Sequence, residues 1–172
     1  MQVVWRSQKT RKDTGEDQME SKELVQYFDQ NLFIANLKAK TKKKALEELA
    51  KLFVDNKIIR DMKIVMEMLN QRETLGSTGI GKGVAIPHGR TTAALNVCIA
   101  FGKTTNGVEF DSVDKKPVNL IFMVLAPPQD ENNRYLPVLG KLVEIVHDRK
   151  NRDKLKKIER FEQLVQIIEG TA

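Results

Sequence analysis

Residues Leu75–Arg90 read LGSTGIGKGVAIPHGR, and two folds compete over them. If a strand enters and a helix leaves, Gly76-Ser77-Thr78-Gly79-Ile80-Gly81-Lys82 matches the G-x-x-x-x-G-K part of a P-loop, whose amides and lysine hold nucleotide phosphates. If a helix enters and a strand leaves, the glycines shape a turn and the strand runs out on His88. The flanking text decides between them. DMKIVMEMLNQRE carries Met62, Val65, Met66 and Leu69 at helical spacing, a core-facing stripe. On the far side, Pro87 holds Ile86 in extended geometry, so VAIPH cannot begin a helix. The position where a P-loop needs a magnesium-binding Ser or Thr is Gly83. The P-loop is rejected, and an ATPase with it.

Working outward, GVAIPHG, NVCIAFGKT and PVNLIFMVLAP are apolar runs separated by the turn chemistry of TNG and VDKKP, and read as strands of one sheet. The last is almost continuously apolar, which predicts a central strand covered on both faces. Upstream, NLFIANL from Asn31 reads as a strand. TKKKALEELAKLFVDN reads as a helix with Ala45, Leu46, Leu49, Leu52 and Phe53 on one face and Thr41 as its N-cap. MESKELVQYF opens the pattern as a first helix. Downstream, RYLPVLGKLVEIVHD predicts a helix with Leu136, Leu139, Val143 and Val146 on one side, and Pro137 keeps its start from lying much before Asn133. IERFEQLVQIIEG is a final amphipathic helix closed by Gly170. The order is helix, strand, two helices, three strands, two helices. It predicts an α/β fold, a mixed β-sheet flanked by helices on both faces.

The chain has 172 residues, 41% of them hydrophobic and 30% charged, enough for one globular domain with a proper core. A formal charge of +6 brings nucleic acid and anionic surfaces into consideration as partners. The basic stretch DRKNRDKLKKIER has seven basic residues from Arg149 to Arg160. Its acids are interleaved, it has no aromatics and it shows no recognition-helix pattern, so it reads as a solvated face and nucleic acid is not expected as a partner. One cysteine, Cys98, excludes an internal disulfide and cysteine zinc frameworks; within an apolar strand it reads as an inert core residue. Asp111 and Asp114 read as turn formers, because no histidine or third carboxylate stands at ligand spacing, and no metal is expected. Val118 to Ala126 is far too short to cross a bilayer, and the first eighteen residues lack the apolar core of a signal peptide. The expectation is a cytoplasmic protein with no membrane insertion. Residues 1–21 read as a flexible N-terminal extension or an expression remnant, with Met19 as a natural start, and 22–172 as the domain.

His88 follows a proline that fixes its own φ and stiffens the strand before it. Gly89, next to it, lets another segment approach closely. A neutral imidazole is a nucleophile near pH 7, and once phosphorylated it carries charge that needs cradling. Amides of Thr78 to Gly81, the hydroxyls of Ser77 and Thr78, and a guanidinium are suited to that. A structural histidine hydrogen-bonded at a turn satisfies the same spacing, and spacing alone favours it.

The longer run from Arg72, RETLGSTGIGKGVAIPHGR, closely resembles the signature of the type-2 enzyme IIA domains of the bacterial phosphotransferase system, the fructose/mannitol class. With PHGR at this point it is most similar to the nitrogen-regulatory branch. The resemblance continues through GVEFDSVDKKPVNLIFMVLAP and the last helices, roughly residues 22–171. It implies that His88 accepts a phosphoryl group from an HPr-type phosphocarrier, with no metal or cofactor in the step. It places Arg72 beside that group, where a planar fork neutralises a loose anionic transition state. Ser77, Thr78, Gly79, Ile80 and Gly81 would surround the phosphate, and Lys82 and Arg90 would help recognise the donor. Many members carry a second histidine where this chain has Tyr135, whose hydroxyl donates a hydrogen bond but does not titrate near neutrality. His147, three turns on, is expected to favour the C-terminus of its own helix. The charged form would act on a regulatory target, or pass phosphate to a separate IIB component for sugar. A binding module that has lost phosphotransfer is the rival of another class, and Tyr135 is its only hint.

Overall fold

The strand Val118–Ala126 is buried along its length apart from half-buried Asn119, as a strand flanked on both sides and both faces must be. The structure is a computed structural model that describes residues 18–170. In chain order its helices are α1 (Ser21–Leu24), α2 (Lys42–Asp55), α3 (Met62–Thr74), α4 (Tyr135–His147), α5 (Arg149–Leu155) and α6 (Phe161–Glu169). Its strands are β1 (Phe28–Ile34), β2 (Gly79–Gly81), β3 (Val84–Ala85), β4 (His88–Arg90), β5 (Cys98–Val108) and β6 (Val118–Ala126).

The sheet runs β1-β5-β6-β3-β2, with β4 also paired to β6. Pairings β1–β5, β3–β6 and β4–β6 are parallel, whereas β5–β6 and β2–β3 are antiparallel. Alternation along β6 sorts the core into two layers. Leu120, Phe122, Val124 and Ala126 pack with Leu24 and the apolar faces of α4, α5 and α6. Ile121, Met123 and Leu125 pack with Leu46, Leu49 and Phe53 of α2 and Val65 and Leu69 of α3. The expected mixed sheet with helices on both faces is the fold observed.

Local signals account for several element ends. Thr41 Oγ1 accepts from Lys44 N and caps α2, Pro137 sits in the first turn of α4, and Gly170 closes α6 at φ 78°. Met19, assigned by the sequence to the extension, is 5% exposed and belongs to the core layer on the α4 side. The first seventeen residues of that expected extension lie outside the described residues. Among the described residues, no helix is long and apolar enough to cross a membrane.

Four details depart from the expected strings. The strand expected from Asn31 begins at Phe28: its polar residues Asp29 to Asn31 lie exposed on the sheet edge, where no apolar signal is required. The expected TNG turn is an irregularity inside β5, which pairs Lys103 with Leu120 and then Val108 with Val118 around Gly107 at φ 78°. GVAIPHG is split at Ile86-Pro87 into β3 and β4, yet the register runs on unbroken from Ala85–Ile121 to His88–Val124. On α4 the buried face is Tyr135, Val138, Leu142, Ile145 and Val146; Leu136 and Val143 are exposed. That helix is apolar on nearly every side, so its own sequence does not choose the face that meets the sheet.

Candidate functional site

Pro87 contributes its carbonyl to the ladder, accepting from Val124 N at 2.9 Å, and has no N–H to lose. This anchors the first residue of β4, and His88 is half-buried near the carboxyl end of β6, where ligands of open α/β sheets gather. His88 Nδ1 lies 2.6 Å from Ile86 O. A carbonyl only accepts, so Nδ1 carries the proton and Nε2 is left as the acceptor nitrogen. Arg72 Nε donates to that Nε2 at 3.4 Å. Burial, more than any other influence, lowers the pKa of His88 below 6.5; the Arg72 charge adds to this, while the Ile86 bond and Glu73 oppose it. The imidazole is therefore neutral at neutral pH.

Arg72 reaches His88 because α3 packs against β4. A Cβ on Gly89 would stand 1.8 Å from Met68 Sδ, so the bare glycine leaves room for the Met68 side chain to lie across the strand. Met68 and Arg72 share a helix face one turn apart. Arg72 Nη1 donates to Gly76 O at 2.9 Å, which fixes the guanidinium at the helix end. The next residue, Glu73, was not singled out from sequence. Its nearly buried carboxylate accepts from Thr78 N at 3.2 Å, from the Thr78 hydroxyl, and from Lys42 Nζ at 3.0 Å. An acid in the last turn of a helix opposes the macrodipole, and that was the available signal that it is held for another purpose.

The glycine run is a hairpin with a tight two-residue turn at Lys82-Gly83, which have φ 58° and 78°, the signs a type I′ turn requires. Gly79 packs so tightly on the segment between β5 and β6 that a Cβ would meet Ser112 Cα at 2.8 Å. The expected cradle of amides meets a conflict here. Thr78 N is bonded to Glu73, Gly79 N to Ser77 Oγ at 3.1 Å and Gly81 N to Ser112 Oγ at 3.1 Å. Ser77 and Thr78 hydroxyls are likewise committed, to Phe110 O and Glu73. These groups hold the frame of the site rather than offering donors to it. Ile80 is exposed on the hairpin. Thr78 O accepts from Ile86 N, so Gly76 to Thr78 flank the histidine, whereas Lys82 lies at the other end of the arm, six residues and roughly 20 Å from His88. The structure does not bring Lys82 to the histidine.

Tyr135 and Arg90 do arrive there. Tyr135 opens α4, with its amide donating to Asp130 Oδ2 at 2.7 Å. Its ring centroid is 6.3 Å from that of His88, and the Arg90 guanidinium stands 4.7 Å over the ring. Arg90 Nη1 also lies 3.4 Å from the carbonyls of Pro127 and Pro128. Burial raises the Tyr135 pKa, so the phenol keeps its proton. His147, the last residue of α4, is exposed; the cation answering that helix end is Arg152, whose Nη1 donates to Val146 O at 2.8 Å and His147 O at 2.6 Å. Asp114 accepts from Lys82 N and Lys116 N, and Asp111 takes φ 55°, both in turn geometry. Cys98 is half-buried with its thiol pushed up to about 12 by burial, which leaves it unreactive.

Comparison with known proteins bears on the chain as a whole. The chain is 32% identical over 133 residues to the fructose-specific EIIABC component of Bacillus subtilis (strain 168), covering 77% of this chain but only 21% of that relative. It is 33% identical over 135 residues to the nitrogen regulatory protein of Pseudomonas aeruginosa, covering 78% of this chain and 87% of the relative. The crystal structure of nitrogen regulatory protein IIA-Ntr from Neisseria meningitidis superposes with a TM-score of 0.77 at 33% identity, covering 84% of this chain and 98% of that one. The family model described as phosphoenolpyruvate-dependent sugar phosphotransferase system, EIIA 2, matches residues 26–170. With the match spanning sheet, hairpin and flanking helices alike, the chain belongs to the EIIA type-2 family of the phosphotransferase system.

Proposed function

We propose that this chain is a phosphohistidine carrier that accepts a phosphoryl group on His88 Nε2 from an HPr-type phosphocarrier in the cytoplasm, and that its charged and uncharged forms are read by a regulatory target. The observation that carries the reading is the pair of bonds on one ring: Ile86 O holds the Nδ1 proton, and Nε2 faces Arg72. In the transfer, the Nε2 lone pair forms the new N–P bond while the donor's N–P bond breaks and its electron pair returns to the donor ring. The Nδ1 proton stays in place against Ile86 O, so imidazolium character that develops on the ring is met by a carbonyl. The loose transition state spreads charge over three phosphoryl oxygens. Arg72 neutralises that charge, Arg90 adds a second cation, and the Tyr135 hydroxyl donates to an oxygen.

The surroundings suit a protein donor. Leu75 is 84% exposed beside Gly76, and Leu136, next to Tyr135, is 68% exposed. Exposed apolar residues around a charged centre are what a docking partner covers. The regulatory role rests on the 33% identity to nitrogen regulatory proteins over nearly their full length. A sugar-specific role, with phosphate passed to a separate IIB component, is the second reading and rests on the fructose-specific relatives. A binding module without phosphotransfer is the third, resting on Tyr135 where the family's second histidine is expected.

Intact mass after incubation with phosphoenolpyruvate, enzyme I and a phosphocarrier tests the proposal. Wild type gains one acid-labile phosphate and His88→Ala gains none. Failure of wild type to gain it, with donors active on a control acceptor, would overturn the carrier reading in favour of the binding module.

A further inference from the structure

At the end of the sheet remote from His88 lies an open groove of about 730 Å³ between the β2–β3 turn, the start of β6 and α5. Lys82, Lys116, Arg149, Arg152 and Lys156 line it, against Asp114 and Asp153. The acids are already engaged: Asp114 by the Lys82 and Lys116 amides, Asp153 by Arg149 at 3.6 Å. Arg152 is spent on the end of α4. The ammonium groups of Lys82, Lys116 and Lys156 form no ion pair among the described residues.

These three lysines come from three separate segments, the hairpin tip, the turn before β6 and the end of α5. They converge on a concavity instead of lining one solvated helix face. The hairpin tip is held rigidly for this by the Asp114 bond to Lys82 N at 2.9 Å and by the positive φ of both its residues. A Cβ on Gly83 would lie 3.8 Å from Lys156 Nζ and 3.2 Å from Asn119 Oδ1, so the glycine keeps the floor open beneath the ammonium. No aromatic side chain lines the groove, so it offers a base nothing to stack on and a charged chain several cations to bridge.

We propose that this groove is a second anion site, independent of His88, that takes the phosphate chain of a polyphosphate, whether inorganic or the tail of a nucleoside triphosphate. Lys82, Lys116 and Lys156 bind its oxygens.

The test titrates the full chain at near-physiological salt with inorganic tripolyphosphate, ATP and adenosine, by calorimetry and by backbone amide NMR. Expected are saturable binding of tripolyphosphate and ATP with similar affinity, no binding of adenosine, and shifts of the Gly83 and Asn119 amides. Lys82→Ala/Lys156→Ala, both exposed residues, weakens binding by about tenfold or more, the loss expected for even one charge-assisted hydrogen bond. His88→Ala and the charge-matched Lys43→Ala/Lys44→Ala on α2 leave it unchanged. No saturable binding, equal weakening by the α2 pair, or shifts confined to the residues around His88 would each overturn the second site. ATP binding far tighter than tripolyphosphate would overturn the claim that the phosphate chain alone is recognised. Since His88→Ala blocks phosphoryl acceptance but not this binding, the two proposals fail separately.

Discussion

Arg72 is held in place by the protein itself, with Nη1 on Gly76 O and Nε on His88 Nε2. A lysine has a single point of charge and cannot make both contacts. Arg72→Lys is therefore expected to leave the fold intact by circular dichroism. It should slow phosphoryl acceptance by about a hundredfold, the order seen when one preorganised donor is lost. The pH dependence follows from burial. The folded-state pKa of His88 lies below 6.5, so the neutral, nucleophilic ring persists as pH falls through that value. The acceptance rate should hold level at neutral and mildly alkaline pH and fall to half its value only below pH 6.5. The same shift has a stability counterpart: the unfolded ring protonates first, so this contribution is present above 6.5 and is lost as pH drops from there towards the folded value. A rate that halves near pH 7 would contradict this account of the site.

At the scale of elements, one close approach sets the geometry. Gly89→Ala places a methyl where Met68 Sδ sits, so the Met68 side chain must leave its place between α3 and β4, loosening the contact from which Arg72 reaches the histidine. The expected result is a loss of about 1–3 kcal/mol in chemical denaturation, with slower phosphoryl acceptance. Met68→Ala/Gly89→Ala should recover part of both. How far such elements could be read from sequence varied for physical reasons. The helix after Thr41, the helix before Gly170 and the strand Val118–Ala126 announced themselves by period, cap and continuous burial. The β2–β3 hairpin did not, because Gly79, Gly81 and Gly83 have no side chains to show an alternation, and Lys82-Gly83 is an uncommon pair for a type I′ turn. Arg72, His88 and Tyr135 were named from sequence and lie together. Glu73 and Asp130 were not, since their work is to hold Thr78 and the first turn of α4, contacts that no spacing rule describes.

For the whole molecule, the sheet separates two surfaces. The end near His88 is edged by exposed Leu75 and Leu136, whereas the other end is a basic groove. If a protein donor covers the first surface, Leu136→Asp should raise the donor KM several-fold, about 1 kcal/mol of docking energy. It should leave the melting temperature nearly unchanged, because the side chain is already in solvent. Steady-state phosphorylation against donor concentration separates this from a catalytic defect, which would lower kcat instead. The expected face of α4, right at Leu139 and Val146 and wrong at Leu136 and Val143, belongs to this scale too. Two apolar stripes lie side by side on that helix, and only the assembled sheet determines that Val138, Leu142 and Ile145 turn inward and Leu136 remains in solvent.

The bond from His88 Nδ1 to the Ile86 carbonyl has one further consequence. The group that selects between the two ring nitrogens belongs to the main chain, so no side-chain replacement at position 86 removes it. If His88 carries phosphate as proposed, substitutions around it would change how fast phosphate arrives or how long it stays, but the regioisomer formed would be a property of the path of the backbone. Phosphorus NMR of variants altered at Arg72, Arg90 or Tyr135 should find the same phosphohistidine isomer in each, at whatever yield it forms.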